Sequence, residues 1–215
     1  MQHHHEDIPV TVQGRPLAES HTAMIMMHGR GQTVDYMLAL IARINDNTCT
    51  YLVPAAQDNT WYPYPFMEPI EKNEPSLSSA LAVYDRLITE LLTQGLTRQQ
   101  IILAGFSQGA CLTAEYAIRH ADHYGGIVLF TGGLIGPPGT TWPAGGSFSG
   151  TPLFLGTSDV DSFVPLARVQ ESAAIFRQRG ALVTERVYPG TEHLVNDDEI
   201  AFARTMLQQV SGSQY

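Results

Sequence analysis

The sequence predicts an α/β fold in which a mostly parallel central sheet is covered on both faces by helices. Two observations carry this expectation. Short apolar runs alternate with longer stretches of helical periodicity from end to end of the chain. One of those alternations is interrupted by Gly105-Phe106-Ser107-Gln108-Gly109, a G-x-S-x-G set between a strand-like and a helix-like segment. At 215 residues the chain is sized for one domain with a substantial core.

In chain order, Met1-Gln2-His3-His4-His5 opens an expected flexible tail over residues 1–9, read as polar and unstructured rather than as a metal-binding tract. A single domain is expected over 10–215. Val10-Thr11-Val12 reads as an edge strand and Ala23 to Met27 as a central one, running into the loop His28-Gly29-Arg30-Gly31. Val34 to Ile44 has helical spacing, with Leu38, Ile41 and Ile44 expected inward. Thr50 to Val53 is a strand stopped by Pro54. Residues 54–75 then carry five prolines, which forbid a long regular helix, among Trp61, Tyr62, Tyr64, Phe66 and Met67. A loop this long and this aromatic is expected to wall a pocket. Leu77 to Leu92 is helical through Leu77, Leu81, Tyr84, Ile88 and Leu91, with Gly95 as its stop. Ile101 to Ala104 is a buried strand and Ala110 to Ile118 a helix. Gly126 to Phe130 is the next strand. The uncharged Gly/Pro-rich stretch 132–152 reads as an internal loop, because strand–helix alternation resumes after it. Pro152 to Gly156 and Leu182 to Tyr188 complete the strands. Pro165 to Arg179 and Asp197 to Val210 complete the helices, the last opened by acids that suit its N-terminus.

Composition excludes some functions. A formal net charge of -9 without any basic run argues against binding nucleic acid or an anionic membrane. No apolar run approaches the length needed for stable membrane insertion. The two cysteines, Cys49 and Cys111, are far apart and beside apolar elements. They are expected as free thiols in a cytoplasmic protein. A homodimer remains open.

The chemistry converges on the G-x-S-x-G turn. A serine lifted off a sheet by a tight turn needs neighbours without bulk, hence a glycine two residues to either side. It also needs a base and an orienting acid. With such an elbow the acid follows the serine and the histidine follows the acid. His21 and His28 precede Ser107, and His120 and His123 sit at a helix end close behind it. His193, in the loop after the last strand, is the expected base. Asp159 and Asp161, in the loop after the preceding strand, both qualify as the acid, and spacing does not choose between them. The oxyanion donors expected are the backbone N–H groups of Gln108, the residue after the serine, and of Arg30, in the glycine loop. His28 is expected to brace that turn. Trp61, Tyr62 and Tyr64, with Phe163 beside the acids, are the expected pocket residues.

Four motifs together resemble the phospholipase/carboxylesterase family of α/β-hydrolases, which includes the acyl-protein thioesterases. They are Met27-His28-Gly29-Arg30-Gly31, Gly105-Phe106-Ser107-Gln108-Gly109-Ala110, Asp161-Ser162-Phe163-Val164-Pro165 and the His193 loop, in family order over about 22–208. The resemblance implies the α/β-hydrolase fold without a large cap domain, no metal or organic cofactor, and Asp161 as the acid, four residues before Pro165. Thioesterase members usually carry an apolar residue and then an acid where this chain has Arg30 and Gln32. The aromatic loop looks like that of bacterial predicted esterases of the family. The implied activity is therefore a serine carboxylesterase acting on small or medium acyl esters through an acyl-enzyme. An acyl thioesterase or lysophospholipase is the near alternative, and a ligand-binding hydrolase-fold protein without turnover is the alternative of another class.

Overall fold

The computed structural model describes residues 4–142, 145–190 and 192–212. Seven strands form one sheet: β1 Val10–Gly14, β2 Ala23–Met27, β3 Thr50–Pro54, β4 Ile101–Phe106, β5 Gly126–Phe130, β6 Pro152–Ser158 and β7 Leu182–Tyr188. Their order is β1-β3-β2-β4-β5-β6-β7, and only the β1–β3 pair is antiparallel. Five helices cover it: α1 Val34–Ile44, α2 Ser76–Thr93, α3 Gln108–Arg119, α4 Leu166–Gln178 and α5 Asp197–Gly212.

Strand side chains alternate between faces, and the two cores follow that period. Ala23, Ile25 and Met27 join Ile101, Leu103, Ile127, Leu129, Leu153 and Leu155 beneath α2, α3 and α4. Met24 and Met26 join Ile102, Ala104, Val128 and Phe154 beneath α1 and α5. The central strands β2 to β5 are buried along their length, which is why they read as continuous apolar runs without polar alternation. The stretch 132–152 stays within this body as an internal connection, and no cap domain is inserted among the described residues.

Two expectations are corrected. On α1 the buried stripe is Met37, Leu40, Ile41 and Ile44, spaced i, i+3, i+4, i+7. Leu38 lies one step round the helix and is half-buried at the edge of that stripe. Within the expected flexible tail over 1–9, of which residues 1–3 lie outside the described residues, His4, Glu6, Asp7 and Pro9 are exposed but His5 is anchored. His5 is fully buried, its N–H donates to Ser79 Oγ at 2.7 Å, and its Nε2 lies 3.0 Å from Trp61 O. Histidine's short ring and two nitrogens let it sit under the aromatic loop, which composition read as a polar tract does not reveal.

Backbone approaches backbone closely where α3 crosses the end of β2. A Cβ on Gly109 would collide with the carbonyl of Met27 and crowd that of His28, and backbone cannot step aside as a side chain can. Gly109→Ala is therefore expected to destabilise the fold by about 3 kcal/mol or more, the upper range of overpacking. A loss of unfolding free energy in urea of less than a third of that would contradict the reading.

A second constraint lies under the end of β6. Gly156 leaves room for the side chain of Glu199, which is 1% exposed. Glu199 and Asn196 close the start of α5 on each other. The Asn196 N–H donates to Glu199 Oε2 at 2.8 Å, and the Glu199 N–H donates to Asn196 Oδ1 at 3.1 Å. Oε1 has no hydrogen-bond partner among the described residues. Burial pushes the Glu199 carboxyl up to about 7 against the opposing Asn196 N–H bond, with the neighbouring Asp198 adding to the rise. A carboxyl more easily protonated in the folded chain contributes stability that is whole below its unfolded pKa and lost as pH rises through about 7. Wild type should thus lose melting temperature between pH 5 and 8 relative to Glu199→Gln, by about 2–4 °C for each 1 kcal/mol involved. Parallel melting curves across that interval would refute it.

Candidate active site

All four functional loops leave the same edge of the sheet, the C-terminal ends of the parallel strands. The glycine loop follows β2, Ser107 follows β4, the acid loop follows β6 and the His193 loop follows β7. Ser158 and Tyr188, the last residues of β6 and β7, face each other across the sheet, so the acid and histidine loops start side by side.

Ser107 stands between β4 and α3 with φ 54° and ψ -117°, a left-handed conformation that costs a non-glycine residue of order 1–3 kcal/mol. Glycine at 105 and 109 makes it possible, because a Cβ on Gly105 would run into the backbone of Gly109. The Ser107 N–H donates to Phe130 O at 3.0 Å, and its carbonyl accepts the Cys111 N–H at 3.0 Å as the first turn of α3. The hydroxyl points away from these bonds. Ser107 Oγ is 2.8 Å from His193 Nε2, and His193 Nδ1 is 2.7 Å from Asp161 Oδ2.

The carboxylate is fully buried and held by its other oxygen. Asp161 Oδ1 accepts the N–H groups of Phe163 at 2.7 Å and Val164 at 2.8 Å, which fixes Oδ2 toward the histidine. Asp159 does different work. Its Oδ1 accepts the Gly190 N–H at 2.8 Å, and Val160 N–H donates to Gly190 O at 3.2 Å, tying the acid loop to the histidine loop. The His193 ring lies between Phe106 and Phe163, with centroids 5.1 and 4.9 Å away. Thr191, within the same loop, lies outside the described residues.

The glycine loop is a turn closed by Gln32 N–H donating to Gly29 O at 3.1 Å, with Gly31 at φ +71°. Such a turn leaves the N–H of its second residue unused. Arg30 is that residue, and its N–H has no acceptor among the described residues. Gln108 begins α3, where the first amides lack intrahelical partners. Arg30 and Gln108 line one cavity together with Ser107. His28 is buried and braces the turn. Its Nδ1 lies 2.8 Å from Gly29 O and its Nε2 accepts the Ala56 N–H at 3.0 Å. With both nitrogens engaged, and its pKa lowered by burial against the opposing effect of the Gly29 bond, it is a neutral strut.

The cavity measures about 290 Å³ and is walled mainly by Tyr62, Phe66, Phe106, Cys111, Phe163 and Val164. Of the four expected pocket residues, Tyr62 and Phe163 line it, and Phe163 is 70% exposed at its rim. The other two are corrected. Trp61 is fully buried behind the wall, where its Nε1 donates to His28 O at 2.9 Å and its ring packs on His28 and His5. Tyr64 is half-exposed on the outside. An indole that satisfies its donor against a buried carbonyl is worth more as a brace than as a wall.

Sequence reasoning missed the side chain of Gln108. Its Oε1 accepts the Trp61 N–H at 3.0 Å and its Nε2 donates to Tyr62 O at 2.8 Å, pairing with the aromatic loop as a strand would. A primary amide carries one acceptor and one donor side by side, the chemistry of a peptide edge. That is the signal Gln108 offered. Cys111 sits at the pocket floor one helical turn after Ser107, and burial pushes its thiol up to about 12, so it stays protonated. Among the described residues no group of three or more His, Cys, Asp or Glu could hold a metal ion.

The comparisons agree with this geometry. The Phospholipase/Carboxylesterase family model matches residues 9–211. The crystal structure of a phospholipase/carboxylesterase from Dyadobacter fermentans DSM 18053 is 40% identical, with a TM-score of 0.89 over 96% of this chain and 98% of that one. A carboxylesterase from Mesorhizobium loti shares the fold at 21% identity, with a TM-score of 0.71 over 93% of this chain and 94% of that one. The acyl-protein thioesterase 1 of Eremothecium gossypii is 27% identical over 60% of this chain and 57% of its own length. The chain thus spans a little over half the length of that curated relative. A match along nearly the whole chain, on this sheet and with these loops, means that the chain belongs to the phospholipase/carboxylesterase family of α/β-hydrolases.

Proposed function

We propose that this hydrolase is a cytoplasmic serine carboxylesterase acting on small or medium acyl esters. The observation that carries the reading is the unbroken relay from Asp161 Oδ2 through His193 to Ser107 Oγ, at 2.7 and 2.8 Å, beside two unused backbone amides. Ser107 Oγ attacks the ester carbonyl while His193 Nε2 takes its proton. The Arg30 and Gln108 N–H groups receive the negative charge that develops on the carbonyl oxygen, each worth roughly 3 kcal/mol at the transition state. Asp161 holds the imidazole with Nδ1 protonated and steadies the imidazolium. His193 then protonates the departing alcohol, leaving an acyl-enzyme. Water then attacks the acyl carbon as His193 Nε2 takes its proton, and His193 returns that proton to Ser107 Oγ as the bond from Ser107 Oγ to the acyl carbon breaks and the acid leaves.

Size favours small and medium acyl groups, since about 290 Å³ lies at the low end for small-molecule sites. The thioesterase name borne by a relative keeps sulfur leaving groups in view. The intact relay speaks against a protein that only binds. Both thiols are buried and unpaired, which supports a reducing compartment.

Ser107→Ala should lose about 10⁵-fold or more in kcat, as removing the nucleophile does in comparable triads. A fluorophosphonate should add one label, at Ser107 by mass spectrometry; labelling elsewhere would sink the assignment. Asp161→Asn should cost about 10⁴-fold, because the amide leaves His193 in the wrong tautomer. Asp159→Asn should cost far less, since an amide oxygen can still accept the Gly190 N–H. Equal losses in steady-state kinetics would mean that the relay is not the source of the rate.

A further inference from the structure

Arg30 has a side chain that the ester chemistry leaves unexplained. Its guanidinium donates from Nη1 to Pro63 O at 2.8 Å and from Nη2 to Tyr64 O at 2.9 Å, and it lies over the Tyr62 ring with Cζ 5.7 Å from the centroid. Those bonds clamp the aromatic loop, yet they use two of five N–H donors. No carboxylate pairs with Arg30 among the described residues, and Glu68 of the same loop is taken by Lys72 at 2.8 Å. Partial burial lowers the Arg30 pKa, although a guanidinium stays charged at any working pH.

The surroundings sharpen the point. Arg30 lines the catalytic cavity, and among the described residues no acidic one does. In a chain of net charge -9, the cavity wall therefore carries one permanent charge, and it is positive. Arg30 is exposed to solvent at the cavity rim, and a guanidinium there without a counter-charge can receive an anionic partner through charge-assisted hydrogen bonds. The clamp to two carbonyls already holds the planar fork still, so little side-chain freedom is lost when a partner binds.

We infer that the ester this cavity is built for carries a second, ionised acid group, a carboxylate, and that this group docks on the Arg30 side chain while the ester carbonyl meets Ser107. The inference rests on the esterase reading and adds the substrate class to it. A single guanidinium matches a single negative charge, which favours a carboxylate over a dianionic phosphate.

Two matched pairs of esters test it. In the first pair the charge is on the acyl side: the p-nitrophenyl monoester of glutarate against the neutral analogue in which an isopropyl group replaces the free carboxylate. In the second it is on the leaving group: para-acetoxybenzoate against para-acetoxybenzamide. Active sites are titrated with a fluorophosphonate, so that kcat/KM refers only to folded enzyme, and the Ser107→Ala protein supplies the blank.

In at least one pair, wild type should favour the anionic ester by about tenfold or more. The pair that responds tells which side of the scissile bond faces Arg30. Arg30→Met should bring that preference to about unity, and Arg30→Lys should keep part of it. If wild type hydrolyses the neutral esters with no preference in either pair, or Arg30→Met keeps the preference, the inference falls and the esterase reading stands. If no ester is hydrolysed, the esterase reading falls. Calorimetric binding of glutarate to Ser107→Ala, lost in Ser107→Ala/Arg30→Met, then decides the inference by itself.

Discussion

Everything at this site depends on one close approach of backbone to backbone. α3 begins almost in contact with the end of β2, and glycine at 109 is what allows it. The approach brings the serine turn against the glycine loop, so that Arg30, Ser107 and Gln108 line one cavity. It also fixes the side chain of Gln108 within reach of the aromatic loop. A bulkier neighbour would not merely loosen the packing; it would separate the nucleophile from the amides. The strained φ of Ser107 is held by the same contact, since β4 and α3 are each anchored in a core that leaves the turn no room to relax.

The aromatic loop is the second consequence. It has little regular structure, yet it is anchored at several points by groups that lie below it. Gln108 pairs with Trp61 and Tyr62, Asn73 Oδ1 accepts the Tyr64 N–H at 2.8 Å, and Trp61 hangs from His28 O. His5 and His28 pack on the indole from the N-terminal segment and the glycine loop. His28 must be neutral to accept the Ala56 N–H. Its pKa is depressed, so it contributes stability above its unfolded value near 6.5 that is lost as pH falls through the folded one. Acid should thus unlock the oxyanion turn and the pocket wall together, because one ring serves both.

The fold was legible because its signals are local. Continuous apolar strands, a 3.6-residue stripe on α2 and the glycines flanking Ser107 each follow from backbone sterics or burial, which act within a few residues. The triad was legible for a related reason: loop order along the chain becomes loop adjacency once the strands are parallel. What stayed hidden depends on long-range contact. Trp61 read as pocket wall because aromatic residues line pockets, whereas a buried carbonyl 33 residues away, that of His28, draws it inward. His5 read as tail because nothing near it in sequence shows the Trp61 carbonyl and Ser79 hydroxyl that receive it. The choice between Asp159 and Asp161 was open to spacing. In space it turns on Asp161 having its second oxygen filled by two backbone amides.

Two buried charges and one at the cavity rim fall into kinds that their hydrogen bonds distinguish. Glu115 is fully engaged: Oε1 binds Arg119 at 2.7 Å, and Oε2 accepts from Ile135 N and Trp142 Nε1, which pins the loop after β5 to α3. A carboxylate satisfied in this way is structural, and removing it would leave several donors orphaned. Glu199 is half satisfied and answers by holding its proton, so its cost is met by neutralisation. Arg30 can do neither. A guanidinium does not give up its proton, and the carbonyls it binds supply dipoles but no counter-charge. The fold tolerates this because the group is exposed to solvent at the cavity rim. Among these groups, the charge without a counter-charge lines the cavity beside Ser107, while Glu115 is paired and burial shifts Glu199 toward its neutral form.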